Sequence, residues 1–158
     1  MSEVGEEEPS GGRASVVALA ARTEDRAALL DSLIVCKFLR GAFEDLEAET
    51  AAMLVAVTGW DVDADELRVT ARRIVTAKRL YNLREGLCRA EDTLPPRFLE
   101  EPLEDGSVAG ARLTRAGLDG MVEAYYAERG WRPDGRVPAA TARALGLSGP
   151  AVDPYLVA

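Results

Sequence analysis

The stretch from Asp61 to Gly86 constrains the fold more than any other. Asp61-Val-Asp63-Ala-Asp-Glu66 reads as a helix start, with Asp63 as N-cap and Glu66 three residues later. Acidic residues there suit the positive end of a helix dipole. Behind them Leu67, Ala71, Ile74 and Tyr81 line one face, and Gly86 stands near the end of a helix running to about Arg84. Three other segments carry a helical period. From Ser15 to about Leu39, Leu29, Leu30, Leu33, Ile34 and Phe38 recur at three- and four-residue steps, before Gly41. From about Glu44 to Val57 the apolar side is Leu46, Met53, Leu54 and Val57, and Thr58-Gly59 stops it. From about Ala116 to Arg129, Leu118, Val122 and Tyr125 or Tyr126 face inward, with Gly130 as cap. Pro138 to Leu145 reads as a short helix with Pro at its first turn.

Residues 88–113 break this pattern. Pro95-Pro96, Pro102, Gly106 and Gly110 forbid a long helix, so the segment is an extended connector. No internal repeat or coiled-coil heptad is visible. The expected fold is all-α, four or five helices with one long Pro/Gly-rich irregular connector. Residues 1–14 are expected to form a flexible acidic tail, and 15–158 a helical domain.

Charge and chemistry narrow the function. The net charge is −8, and four of the acids (Glu3, Glu6, Glu7 and Glu8) fall in the first ten residues. The rest carries no basic excess, which disfavours nucleic acid as a partner. The absence of histidine excludes His-based acid–base catalysis, Ser–His or Cys–His nucleophiles and His-ligated metal within these residues. The two cysteines, Cys36 and Cys88, lack metal-site spacing and are too few for a disulfide framework. The start resembles no signal peptide, and no apolar run approaches the roughly 20 residues that span a bilayer. The expectation is a reduced, soluble, cytoplasmic protein.

Three features invite a functional reading. Cys36, in Asp31-Ser-Leu-Ile-Val-Cys36, reads either as a ligand or as a small buried hydrophobe beside Val35 and Phe38. Cys88 lies between Arg84 and Arg89 and reads either as a reactive thiol or as an incidental cysteine at a helix end. Arg72, Arg73, Lys78, Arg79 and Arg84 form no single stripe and read as a solvated face.

Five motifs then occur in order: Thr58-Gly-Trp-Asp-Val62, Arg79-Leu-Tyr-Asn-Leu-Arg-Glu-Gly86, Asp92-Thr-Leu-Pro-Pro-Arg-Phe-Leu-Glu-Glu-Pro-Leu103, Tyr125-Tyr-Ala-Glu-Arg-Gly-Trp131 and Asp134-Gly-Arg-Val-Pro138. In this order residues 23–147 resemble the C-terminal part of the tungsten-pterin aldehyde:ferredoxin oxidoreductases. The resemblance implies a helical domain packed on a larger N-terminal part, carrying one of two D-x-x-G-L-C/D motifs that hold a bis-pterin. The matching run is Asp31 to Cys36, with Ile34-Val35 where the family has Gly-Leu. A β-branched residue does not readily adopt a glycine conformation.

By that resemblance Asp31 hydrogen-bonds the pterin amines, the backbone near Val35 touches the pterin, and Cys36 is one thiolate ligand of a [4Fe–4S] cluster. It assigns Cys88 no role and implies no catalytic residue here. The implied cofactors, a [4Fe–4S] cluster and a tungsten or molybdenum bis-pterin, require a partner chain carrying the N-terminal pterin-binding part and three more cysteines. The implied activity oxidises aldehydes to carboxylates with a ferredoxin-type electron acceptor. The rival reading is a cofactor-free helical interaction module derived from that family.

Overall fold

The computed structural model describes residues 10–158. Six α-helices follow one another: α1 (Ser10–Ser32), α2 (Leu46–Thr58), α3 (Ala64–Arg84), α4 (Arg97–Glu100), α5 (Arg115–Arg129) and α6 (Ala139–Ala144). No strand occurs among the described residues; one isolated parallel bridge joins Pro138 to Val157. The acidic segment 1–9 lies outside the described residues, and α1 begins at Ser10.

Side-chain caps set the boundaries. Asp63 Oδ1 accepts from Glu66 N at 2.9 Å, so α3 starts where its sequence signal sits. Asp45 does the same for α2, accepting from Ala48 N at 3.0 Å. Thr114 caps α5 by accepting from Gly117 N at 3.0 Å. Between α3 and α5 the connector is irregular apart from α4 and a 3-10 turn at Arg89–Glu91.

Helix α1 packs against α3 and α5, and α3 also carries α2. Val17, Ala21 and Ala28 form its buried seam, at steps of four and seven residues. One core cluster joins Ala28, Val75, Leu80, Tyr126, Trp131, Val137 and Ala142. A smaller one joins Leu29, Ala51, Leu67 and Ala71. Arg129 ties α5 to α1: its guanidinium donates to Asp25 at 2.6 Å, Glu24 at 2.7 Å and Ala21 O at 3.0 Å.

Three expected stripes are corrected, that of α2 because Met53 and Val57 stand in solvent past the buried Leu46 and Thr50. Helix α1 ends at Ser32, so Ile34 and Phe38 leave the stripe begun by Leu29 and Leu30 and stand in solvent. On α3, Leu67 and Ala71 are buried and Ile74 packs against the core, but Tyr81 is exposed beneath the Arg84 guanidinium. At the end of α3 the buried side has turned to Arg79 and Leu80, which leaves Tyr81 outside it.

Candidate functional site

The end of α1 is built by backbone hydrogen bonds. Val35 N donates to Leu30 O at 3.0 Å and Ile34 N to Asp31 O at 3.3 Å, the paired bonds of a Schellman C-cap. The residue between helix and loop in that motif must be left-handed. Ile34 takes the position, with φ +57°. The β-branched side chain thus adopts the glycine conformation despite its steric cost.

This cap throws the next residues outward. Ile34 is 91% exposed and Phe38 96%. Cys36 stands at the start of a 3-10 turn, Lys37–Gly41, with Cys36 O accepting from Leu39 N at 2.9 Å. Its thiol is exposed and free, so Cys36 is not a buried core cysteine. Asp31 is exposed on the last turn of α1, five residues before it. Because Val35 N–H is held by Leu30, Val35 can meet a ligand only through its carbonyl or side chain.

These donors suit one corner of a cofactor site. An exposed thiol is a soft ligand for iron–sulfur, and a nearby carboxylate accepts from ring amines. Among the described residues no group of three or more His, Cys, Asp or Glu side chains gathers to hold a metal. The remaining ligands of any cluster must come from elsewhere. Cys88 is also exposed and free, at the start of the turn Arg89–Glu91, beside Asp134 and Arg136.

A cavity of about 910 Å³ adjoins the end of α1, where Ser32 and Leu33 meet Leu54 of α2 and the α2–α3 corner. Trp60, Asp61 and Val62 of the first motif line it. Trp60 is 65% exposed; its backbone N–H donates to Thr58 Oγ1 at 3.1 Å.

The other four motifs meet around one buried cation. Arg79 is 6% exposed, not part of a solvated face. Its Nε donates to Gly135 O at 2.9 Å, its Nη1 to Asp92 Oδ1 at 3.0 Å, and its Nη2 lies 2.9 Å from Asp92 Oδ2. Nη2 also donates to the Tyr126 hydroxyl at 3.3 Å, and the guanidinium stacks over the Tyr126 and Trp131 rings at 5.3 and 5.4 Å. The Tyr126 hydroxyl in turn donates to Asp92. Gly135 has no substitute here, since a Cβ would stand 2.1 Å from Arg79 Nη2 and φ is +76°.

Burial opposes the Asp92 charge, but hydrogen bonds from Arg79 and Tyr126 outweigh it and hold the carboxyl below its ordinary range. Burial and then the hydrogen bond to Asp92 push the Tyr126 phenol up to about 12. One residue from each of four motifs thus closes a single structural knot. Sequence periodicity missed it because a lone arginine on a charged helix gives no sign of burial. The spacing of aromatic and acidic residues inside the motifs was the available signal.

The family description "Aldehyde ferredoxin oxidoreductase, domains 2 & 3" matches residues 5–147. The chain is 40% identical over 127 residues to a tungsten-containing aldehyde ferredoxin oxidoreductase of Thermococcus kodakarensis, covering 79% of this chain and 20% of that protein. It is 40% identical over 126 residues to the same enzyme of Pyrococcus horikoshii, covering 78% and 20%. The chain therefore spans about a fifth of the length of these relatives. Among solved structures, the active-site complex BamBC of benzoyl coenzyme A reductase with 1,5-dienoyl-CoA superposes with a TM-score of 0.54 at 24% identity, over 69% of this chain and 15% of that one. That likeness concerns the fold. The chain belongs to the aldehyde ferredoxin oxidoreductase family, in the part formed by domains 2 and 3.

Proposed function

We propose that these residues, as a domain or a separately encoded subunit, complete the cofactor site of a tungsten-pterin aldehyde oxidoreductase whose larger part lies outside them. Cys36 supplies one thiolate to a [4Fe–4S] cluster, Asp31 accepts hydrogen bonds from the pterin amines, and Val35 contacts the pterin. That larger part brings the remaining three cysteines and the main pterin-binding surface. When bound, the tungsten-pterin supplies the two-electron oxidation of an aldehyde and water to a carboxylate, with a ferredoxin-type acceptor taking the electrons. The chain's own residues hold and orient: the Schellman cap fixes where Cys36 leaves α1, and Asp31 sits on the last rigid turn before it. The observation that carries this reading is the exposed, free Cys36 thiol in the run that matches the family's ligand motif.

The test is anaerobic co-production, with tungstate, of this chain and the part of the Thermococcus kodakarensis relative that it does not match. The complex is expected to contain iron, to be lost on Cys36→Ser and kept on Cys88→Ser. Iron unchanged by Cys36→Ser refutes the ligand assignment. The substitution of Ile34-Val35 for Gly-Leu favours one rival, a cofactor-free interaction module, which predicts a complex devoid of iron.

A further inference from the structure

Where α1 packs on α3, a cavity of about 610 Å³ gathers five arginines, in a chain with more acids than bases. Arg22 and Arg26 stand one turn apart on α1, and Arg68 and Arg72 one turn apart on α3. Like charges four residues apart share a helix face and destabilise it. Here two such pairs line one cavity. Their compensation inside the chain is incomplete. Arg68 pairs with Asp65 at 2.5 Å, an exposed contact that water screens. The side chains of Arg22, Arg26 and Arg72 have no hydrogen-bond or ion-pair partner among the described residues. Glu47 and Glu128 also line the cavity, yet neither pairs with an arginine. The fifth arginine, Arg129, is 4% exposed and donates four of its five N–H groups. Nε goes to the Tyr125 hydroxyl, Nη1 to Asp25, and Nη2 to Ala21 O and Glu24. One Nη1 N–H of this buried guanidinium is left without a partner among the described residues. The buried residues beside it are Ala21 and Ala71, whose small side chains leave the space open.

We propose that this cavity binds a small anion carrying at least two oxyacid groups, phosphoryl or carboxylate. The planar guanidinium fork matches either group through two parallel N–H bonds. A multivalent anion supplies the partners that Arg22, Arg26 and Arg72 lack, together with an acceptor for the spare Arg129 N–H. The volume suits a small ligand. Glu47 and Glu128 offset much of the unpaired positive charge, so a monovalent ion gains little there. A ligand must hold several guanidinium groups at once. Asp31, Val35 and Cys36 do not line this cavity, so the site stands apart from the cofactor reading.

The test is calorimetric titration of the full chain with pyrophosphate and, separately, with citrate, at about physiological ionic strength. Binding at one site is expected. The tighter of the two anions tells a phosphoryl ligand from a carboxylate one. Arg22→Gln and Arg72→Gln, both at exposed positions, are each expected to weaken it roughly ten-fold. Arg143→Gln, exposed on α6 and outside the cavity, is expected to leave it unchanged. A thermal melt gives a second readout: the tighter anion is expected to raise Tm of the parent more than that of Arg72→Gln. No heat and no Tm shift with either anion at millimolar concentration overturns the proposal. So does equal weakening by Arg72→Gln and Arg143→Gln, the mark of general charge attraction.

Discussion

Ile34 sits at the one non-glycine left-handed position among the described residues, directly before the candidate cofactor residues. A side chain at positive φ costs roughly 1–2 kcal/mol, partly offset by the extra entropy glycine loses on folding, roughly 0.5–1 kcal/mol. Ile34→Gly is therefore expected to stabilise the chain by up to about 1 kcal/mol, raising Tm by roughly 2–4 °C in a thermal melt. An unchanged or lower Tm contradicts the cap assignment. The departure from the family's glycine was legible in the sequence; that the backbone keeps the glycine conformation was not. It is dictated by the two hydrogen bonds closing the helix, which Asp31 O and Leu30 O accept whatever residue stands at 34.

At Arg79 the sequence misleads for a different reason: burial of a cation depends on partners 13, 47 and 56 residues away. Removing one member of a buried ion pair typically costs about 3–5 kcal/mol, so Arg79→Met is expected to destabilise severely by urea unfolding. The pH dependence has two limbs. Asp92 is held below its ordinary range, so its contribution is present above an unfolded pKa of about 3.9 and lost as pH falls further. Tyr126 is raised to about 12, so its contribution is complete below an unfolded pKa of about 10 and lost as pH rises towards 12. The stability gap between the parent and Tyr126→Phe is expected to close over that alkaline window. A constant gap contradicts the hydrogen bond to Asp92.

Among the elements, α3 was the most readable, because its N-cap, acidic first turn and apolar spacing all agree. Helix α2 was located well, but how far along it the cover extends was not: Met53 and Val57 share the side of the buried Leu46 and Thr50, yet stand exposed towards its C-terminal end. The connector was recognised from its prolines and glycines. Its role was not, since Asp92 reaches Arg79 through tertiary packing alone. Breaking the α1–α5 clamp is expected to show at this scale. Arg129→Ala leaves Asp25 and the half-exposed Glu24 without their cation and removes a second donor to Ala21 O, and is expected to cost roughly 1–3 kcal/mol. Hydrogen exchange then rises along α1 and α5, whereas exchange confined to the Arg129 turn contradicts the clamp.

For the whole molecule, the motifs that carry the family resemblance fall into two groups. Four build the buried knot that holds α3, the connector, α5 and the turn at Gly135 together. The fifth lines the cavity beside the end of α1, next to the exposed thiol. Among the described residues no helix is long and apolar enough to cross a membrane. The central claim is that Cys36 is a cluster ligand in an assembled protein, and alkylation by iodoacetamide followed by mass spectrometry tests it most directly. In the isolated chain both Cys36 and Cys88 are exposed and are expected to be modified. In the iron-loaded complex Cys36 is expected to be protected, to become reactive again when iron is chelated, and Cys88 to stay reactive throughout. Modification of Cys36 at the same rate in the loaded and chelated complexes would contradict the account.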